Sequence, residues 1–234
     1  MHSRPGRVPA YAEVRRNSRW IPGARRCCHL IRRAMIYRVM SMRAFFCLCL
    51  DSQSRNQIAS VADALAEAVS QRPRVAWVRP ANYHITLRFL GEIDPMSTVR
   101  LEEAARKAAS EIRPFTVSLD RLGCFPTPER PRVLWVGGPA ADPFAMLRDA
   151  LDAELQSLGW PSERPDPLVH VTLGRVKSGR FGNVECELAG LKMPRIEQRI
   201  GGLTLMESRL SARGAQYEPL LEVRFRSADG SHAV

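Results

Sequence analysis

Apolar residues recur along the chain with two different periods, and from Arg43 onward these periods predict an alternation of strands and helices. Residues 43–50 form a short apolar run with aromatic side chains, which is typical of a buried strand. The apolar residues that follow at helical spacing are Ile58, Val61, Leu65 and Val69. We therefore predict a helix there, with Ser54 as its N-terminal cap.

The middle of the chain continues this alternation. Residues 81–93 are predicted to form a strand that Gly91 ends. A helix is expected after Ser97, where Val99, Leu101, Ala105 and Ala108 are spaced for one face. Residues 115–122 alternate apolar and polar side chains, as a half-exposed strand does.

The best-marked helix follows a strand at residues 131–138, which the paired glycines 137–138 are expected to end. Asp142 is predicted to cap this helix, Pro143 lies in its first turn and Gly159 closes it. Its apolar stripe consists of Phe144, Leu147, Leu151, Leu155 and Leu158. One buried helix face is therefore expected.

The remaining chain predicts further strands. Residues 168–176 form one, residues 177–194 are expected to be loops, and strands are expected near 201–208 and 218–225. Half-polar strands favour an α+β fold with largely antiparallel sheets over a doubly wound parallel sheet. Each half of the chain contains one strand with a histidine, which suggests an internal duplication.

The positive charge is concentrated at one end of the chain. The net charge is +11, yet residues 1–41 contain ten Arg and one acid, Glu13, and the 25 basic and 23 acidic residues that follow nearly balance. We interpret residues 1–41 as a basic, disordered arm or as the product of a start codon set too early, with a transit-like peptide as a third alternative. Residues 42–226 are predicted to form the folded domain and residues 227–234 a loose tail.

Cysteine usage and hydropathy bear on the compartment. The six Cys show no metal-finger spacing, and Cys47 and Cys49, within the first apolar strand, are predicted to be buried free thiols. The apolar run at residues 44–50 is too short to cross a membrane. We expect a cytoplasmic monomer that does not bind membranes.

Two matching tetrapeptides carry the candidate chemistry, namely His84-Ile85-Thr86-Leu87 and His170-Val171-Thr172-Leu173. Residues i and i+2 of a strand point to one face, so each motif presents an imidazole beside a hydroxyl. Two such strands facing one cleft would suit in-line attack of water on a cyclic phosphate. One imidazole would take a proton from water, the other would give one to the leaving sugar oxygen, and the threonines would hold the phosphate oxygens.

Two other interpretations of the motifs remain. A histidine on a strand is often a half-buried structural residue, although a matched pair of motifs makes that interpretation weaker. A zinc site would need a third protein ligand, and no HExxH motif or cysteine cluster supplies one. We therefore expect no metal and no other cofactor.

The sequence resembles the two-histidine phosphoesterases, specifically the RNA 2′,3′-cyclic phosphodiesterases once called 2′-5′ RNA ligases. The resemblance extends from about Met42 to Phe225. Besides the motifs at 82–93 (NYHITLRFLGEI) and 169–177 (VHVTLGRVK), it includes 42–50 (MRAFFCLCL), 130–138 (RPRVLWVGG) and 203–220 (LTLMESRLSARGAQYEPL). It does not include residues 1–41.

The resemblance implies a bilobal, pseudo-symmetric fold with helices on the outside and both motifs facing a central cleft. It implies hydrolysis of RNA 2′,3′-cyclic phosphate ends, or of a small cyclic nucleotide, to a 2′-phosphate, together with weak reverse ligation. On this basis His170 is expected to be the general base and His84 the general acid, with Thr86 and Thr172 binding substrate. A binding module without turnover is the alternative function.

Further residues are weaker candidates for substrate contact. Arg175 matches an arginine that commonly follows the second motif, although a turn at Gly174 is needed to bring it to the face of His170. Arg88 shares the face of His84 by alternation. Others that are considered are Arg130 and Arg132 at the cleft mouth, and Phe45, Tyr83 and Phe125 as base-stacking rings. Ligation that depends on ATP is not expected, because no adenylating lysine motif is evident.

Overall fold

The computed structural model describes residues 41–226 apart from residues 73, 164–167, 178–180 and 212–213. The arm predicted at 1–41, except Ser41, and the tail predicted at 227–234 lie outside the described residues, so the domain boundaries stay a prediction. The helices are α1 (Ser52–Ala68), α2 (Thr98–Ala109), α3 (Asp142–Ser157) and α4 (Glu185–Gly190). The strands are β1 (Met42–Cys49), β2 (Val75–Trp77), β3 (His84–Ile93), β4 (Phe115–Leu119), β5 (Arg121–Phe125), β6 (Val133–Pro139), β7 (Leu168–Val176), β8 (Ile196–Ile200), β9 (Gly202–Ser211) and β10 (Gly214–Arg224).

The strands form a large sheet in the order β10-β9-β1-β3-β7-β6-β5, with β2 also paired to β7. A second, two-stranded sheet consists of β4 and β8. The neighbouring strands described here run antiparallel. The predicted α+β fold with largely antiparallel sheets is therefore confirmed.

The large sheet consists of two halves that meet at β3 and β7. The ladder between these strands is a single residue pair, Ile85 opposite Val171. Towards its C-terminal end, β7 pairs with β2 instead of β3, with Gly174 opposite Trp77. The first half, β10-β9-β1-β3, therefore carries the first motif, and the second half, β7-β6-β5, carries the second.

Helices and sheet enclose one apolar core. Phe46, Leu48 and Ile85 are at most 1% exposed and cluster with helix residues such as Leu65 and Leu101. Burying each large apolar side chain stabilises the fold by roughly 1.5–3 kcal/mol. A shift of β1 or β3 by one residue would expose these buried side chains. Burial of the core residues therefore determines which side chains of the two strands point away from the core.

The helix boundaries agree in part with the sequence predictions. Ser97 precedes α2 as its N-cap, and Gly159 follows α3 with a φ of +96°. The predicted cap Ser54 is wrong, since it lies inside α1 and its backbone N–H donates to the side chain of Asp51 over 2.7 Å. Asp142 is the first residue of α3 rather than its cap, and there its charge still favours the positive end of the helix.

Three short elements were missing from the prediction, and one predicted strand is divided. β2 and β8 have three and five residues, and α4 has six, within residues for which no regular element was predicted. Elements this short show too few repeats for a period to be recognised. The strand predicted at 115–122 breaks at Asp120, and its parts, β4 and β5, join different sheets.

The glycines predicted to end strands lie inside them. Gly91 has a φ of +72° within β3, beside an irregularity in the pairing with β1. A Cβ on Gly137 would come within 2.4 Å of the Val169 carbonyl oxygen, and one on Gly138 within 2.0 Å of the Ser118 carbonyl oxygen. These two glycines therefore permit close approach of neighbouring backbones instead of ending β6.

The cysteine prediction holds for one thiol of the pair on β1. Cys47 is buried, whereas Cys49, the last residue of the strand, is exposed. The prediction that both thiols are buried is therefore wrong for Cys49, because the strand ends there. Among the described residues, no helix has the length and hydropathy required for a membrane span.

Candidate active site

The two motifs lie side by side where the halves of the sheet meet. His84 and Thr86 are on β3, and His170 and Thr172 are on β7. Because the single pair between these strands lies in the middle of both motifs, antiparallel order places His84 towards Thr172 and Thr86 towards His170. Directly opposed residues on one face lie close enough for their side chains to interact. The fold therefore brings both imidazole–hydroxyl pairs to one surface.

All four motif side chains line a cavity of about 590 Å³, here called the central cavity. Other side chains that surround the motifs in it are Asn82, Phe125, Arg175 and Tyr217. A cavity of this volume lies in the range of small-molecule sites. The two histidines and the two threonines of the motifs thus face one cavity, as the pattern of the two strands predicted.

The orientation of the His84 ring follows from its two hydrogen bonds. Nδ1 lies 2.8 Å from the carbonyl oxygen of Asn82, which can only accept, so Nδ1 carries hydrogen and donates. Nε2 lies 3.1 Å from Oγ1 of Thr86. Nε2 is therefore the nitrogen that faces the threonine, and it is the one that gains or loses a proton on the cavity side.

Several surrounding groups shift the pKa of His84 below its ordinary value. Burial of the ring is the largest cause, because it disfavours the charged imidazolium. The hydrogen bond to the Asn82 carbonyl acts in the opposite direction, whereas the nearby charges of His170 and Arg175 lower the pKa further. A phosphate anion in the cavity would offset those positive charges and favour the protonated ring.

Aromatic side chains flank His84 on its own half of the sheet. Its ring centroid lies 4.8 Å from that of Phe45 on β1 and 5.2 Å from that of Tyr217 on β10, the latter edge to face. Burial raises the pKa of the Tyr217 phenol, so the hydroxyl keeps its proton and remains a donor at the cavity. The ring of His84 is thus held by packing as well as by hydrogen bonds.

His170 has a similar aromatic environment built from the other half. Its centroid lies 5.1 Å from that of Phe125 on β5, edge to face, and 6.3 Å from that of Trp135 on β6. Phe125 and Trp135 also contact each other, with centroids 5.3 Å apart. Each imidazole therefore packs against two aromatic rings from other strands of its own half.

Arg175 reaches the same cavity through an irregularity in β7. The pairing of β6 with β7 shifts between Leu134 and Trp135, so Leu134 faces Gly174 and Trp135 faces Thr172. This extra residue in β7 reverses the alternation that would have pointed Arg175 away from the motif. The change of direction expected at Gly174 is present, as a bulge rather than as a turn.

The structure separates the weaker candidates. Phe125 lines the central cavity, whereas Tyr83 is only 4% exposed and lies in the core, so the suggestion that Tyr83 stacks on a base is wrong. Phe45 is 3% exposed, packs against the ring of His84 and does not line the cavity, so the suggestion that it stacks on a base is wrong as well. Arg130 and Arg132 are not among the residues that line the cavity.

Arg88, which alternation placed beside His84, is turned away from the motif. β1 and β3 pair Phe46 with Arg88 but Cys47 with Thr86, so an extra residue precedes Arg88 in β3. The side chain is 5% exposed and pairs with Asp152 at 3.0 Å. It lines the cavity together with Asp152, its partner in the ion pair.

Two site residues escaped the sequence analysis. Asn82 supplies the carbonyl that fixes His84, and its side chain donates to the carbonyl of Ala215 at 2.8 Å. Tyr217 lies on β10, more than a hundred positions from His84 along the chain. A backbone carbonyl leaves no trace in residue type, and only the strand order brings Tyr217 to the site.

Among the described residues, no three His, Cys, Asp or Glu side chains lie close enough together to hold a metal ion. The expectation that the reaction needs no metal stays a prediction, because the absence of such a group does not test the reaction.

Comparisons with known proteins agree with this geometry. A model of the LigT-like phosphoesterase family matches residues 50–135. The chain is similar to the RNA 2′,3′-cyclic phosphodiesterase of Methanothermobacter thermautotrophicus, with 33% identity over 181 residues that cover 76% of this chain and 96% of the relative. It is also similar to the RNA 2′,3′-cyclic phosphodiesterase of Aeropyrum pernix, with 35% identity over 156 residues that cover 64% of this chain and 86% of the relative.

Solved structures share the fold. Escherichia coli LigT complexed with 3′-AMP matches with a TM-score of 0.62 and 25% identity, over 79% of this chain and 98% of that one. TT0787 of Thermus thermophilus matches with a TM-score of 0.64 and 24% identity, over 80% of this chain and 100% of that one. These likenesses extend over nearly the whole length of both solved chains.

Proposed function

The chain belongs to the LigT-like phosphoesterase family, and on that premise we propose that its central cavity hydrolyses the 2′,3′-cyclic phosphate at RNA ends to a 2′-phosphate. The enzyme is an RNA 2′,3′-cyclic phosphodiesterase. The observation that carries the mechanism is the presence of both imidazole–hydroxyl pairs in one cavity at the junction of β3 and β7.

The phosphate is bound by neutral and positive donors. The hydroxyls of Thr86 and Thr172 donate to the non-bridging oxygens, and the Arg175 guanidinium neutralises part of their charge. All three side chains line the central cavity. As the phosphorus becomes five-coordinate, negative charge grows on these oxygens, so the donors stabilise the transition state more than the ground state.

His170 acts as the general base. It removes a proton from water as the water oxygen forms a bond to phosphorus, in line with the bond from phosphorus to the sugar 3′-oxygen. The latter bond breaks as the new one forms. The side chain is positioned for this role by Phe125 and Trp135, which pack against its ring.

His84 acts as the general acid. Its Nε2 faces the cavity and delivers a proton to the 3′-oxygen as that oxygen leaves, which yields a 3′-hydroxyl and a 2′-phosphate. The Asn82 carbonyl favours the imidazolium through Nδ1–H, while burial lowers the pKa and makes the protonated ring a stronger acid. The bound phosphate anion supplies the remaining stabilisation of the proton on this ring.

The same geometry supports further expectations. The reaction requires no metal and no other cofactor. A 5′-hydroxyl of a second RNA that replaces water as the nucleophile would open the cyclic phosphate, with the bond from phosphorus to the 3′-oxygen breaking as the new bond forms, and this reversible reaction would join the two ends weakly in a 2′-5′ linkage without ATP. We propose that the protein acts as a monomer in the cytoplasm, where a reducing environment keeps the free thiols of Cys47, Cys49, Cys124 and Cys186 intact.

A defined RNA with a 2′,3′-cyclic phosphate end tests the proposal. Wild-type enzyme should yield only a 2′-phosphate with a free 3′-hydroxyl, and turnover should be unchanged by a chelator. For variants of Thr86 and Thr172, the matched control is Thr116→Ala, because Thr116 is exposed on β4. Binding of the RNA without any product across a broad pH range would contradict hydrolysis and favour a binding module.

A further inference from the structure

The central cavity is lined by the motifs and also by side chains of β3 and α3 that follow the single residue pair between β3 and β7, and this second part is here called its extension. Its volume of about 590 Å³ is larger than a single cyclic phosphate needs. The side chains that line this extension include Arg88, Phe89, Arg148, Asp149, Asp152 and Glu163, here called the distal wall. A substrate longer than one nucleotide has to leave the motifs along some part of this surface.

Phe89 is an exposed aromatic ring at the start of this extension. It is 54% exposed, although most large apolar side chains among the described residues are buried. Its centroid lies 5.9 Å from that of Phe45, which in turn lies 4.8 Å from that of His84. Phe89 is therefore separated from the catalytic ring by one aromatic side chain, and it presents an apolar surface to the cavity.

The charges of the distal wall distinguish it from the phosphate site. It has two cations, Arg88 and Arg148, against three carboxylates, on Asp149, Asp152 and Glu163. The motif end of the cavity has the cationic Arg175 and no carboxylate among the described residues that line it. A phosphate is therefore favoured at the motifs and disfavoured at the distal wall, where hydrogen-bond donors such as amino groups are favoured instead.

Arg88 connects the residues of the distal wall through its buried guanidinium. Its buried guanidinium pairs with Asp152 at 3.0 Å and with Glu163 at 3.3 Å, and it donates to the carbonyl of Pro161. Asp152 also accepts from Ser162 at 2.7 Å. The side chain of Glu163 pairs with Arg88 through one oxygen, is 52% exposed and lines the cavity.

We propose that Phe89 stacks on the base of the nucleotide that precedes the cyclic-phosphate nucleotide, and that Glu163 accepts a hydrogen bond from an amino group of that base. The assignment rests on the proposed function, since it takes the cyclic phosphate to lie at the motifs. Stacking on an aromatic ring is tolerant of sequence, whereas a carboxylate favours bases that carry an amino group over uracil. Phe89 and Glu163 would make the enzyme prefer RNA ends to free cyclic mononucleotides.

The test compares two substrates, a nucleoside 2′,3′-cyclic monophosphate and a dinucleotide with the same cyclic end. Phe89→Ala should lower kcat/KM for the dinucleotide about tenfold, the kinetic equivalent of losing one stacked base, and leave the mononucleotide unchanged. Phe89→Trp should retain the dinucleotide rate. Val99→Ala is the matched control, because Val99 is 73% exposed on α2 and does not line the cavity.

A second variant tests the contact to the base edge. Glu163→Gln should reduce the preference for adenine, guanine or cytosine over uracil at the preceding position by at least about threefold. Glu103→Gln is its control, since the side chain of Glu103 is 66% exposed on α2. An unchanged base preference in Glu163→Gln would overturn this part of the assignment.

The two substrates also separate the inference from the function on which it depends. Absence of turnover on both substrates by the wild-type enzyme would refute the proposed function. Turnover of both with equal kcat/KM, or an equal loss on both in Phe89→Ala, would refute the stacking role while leaving the proposed function intact. A selective loss on the dinucleotide would support the inference.

Discussion

The two halves of the large sheet carry the same motif in different surroundings. His84 donates through Nδ1 to the Asn82 carbonyl, and burial lowers its pKa. His170 packs against Phe125 and Trp135 on the other half. Closely similar tetrapeptides thus lie among different neighbours, and burial among its own neighbours lowers the pKa of His84. Unequal surroundings of this kind would allow the two histidines to perform unequal roles in one reaction.

Removing either imidazole should have the largest effect on activity. His84→Ala and His170→Ala should each lower kcat on a 2′,3′-cyclic RNA end by about 10²–10⁴-fold, as expected for loss of a general acid or base. The measurement is single-turnover hydrolysis at saturating RNA. Full activity in either variant would mean that one half of the sheet alone performs the chemistry, and it would contradict a shared role of the two histidines.

The threonines should have smaller and similar effects. Thr86→Val and Thr172→Val should each reduce kcat/KM by about tenfold, because each removes one donor to a charged oxygen. Thr116→Val on β4 should leave it unchanged. If one motif threonine alone mattered, the phosphate would be bound by one half rather than between both.

The pH dependence should show the asymmetry directly. The acid must be protonated and the base neutral, so kcat/KM should rise and then fall with pH, and one limb should report the lowered pKa of His84. Tyr217→Leu removes a ring beside His84 and lets water approach it, so this limb should shift to higher pH. Phe125→Leu beside His170 should not shift the same limb upward, and an equal shift in both variants would contradict the acid–base assignment.

The stability of the folded protein should depend weakly on pH because His84 is buried. Because the pKa of His84 is lower in the folded protein than in the unfolded chain, the unfolded state binds more protons as the pH falls below the ordinary histidine value. The contribution of this residue is therefore fully present above that value and is lost as the pH falls through the lowered pKa. Denaturant midpoints of the wild type and His84→Gln should converge at acidic pH; parallel curves would indicate a solvated ring.

The arrangement of the motif side chains was predictable from the two motif strands themselves. Two strands with a period of two placed each imidazole beside its threonine, and the buried Ile85 and Val171 on the other face fixed that orientation. What alternation did not predict was the effect of added residues in the strands. One such irregularity brought Arg175 to the cavity, and another turned Arg88 away from it.

The features that the sequence did not predict have a common physical origin. Gly137 and Gly138 were interpreted as strand ends, although they allow contacts with the backbone of other elements that lie far away in the sequence. Tyr217 reaches His84 only because β10 pairs with β9 and β9 with β1. Non-local pairing of this kind leaves no periodic signal in the local sequence.

A structure of the enzyme with a bound 2′-phosphorylated nucleotide would test the central claim most directly. The measurement is the distance from each imidazole to the nearest oxygen on the phosphorus or on the sugar 3′-carbon. We predict hydrogen-bond distances of about 2.6–3.2 Å for both His84 and His170. A phosphate held by one imidazole, with the other beyond the reach of even a bridging water, would contradict the shared acid–base mechanism.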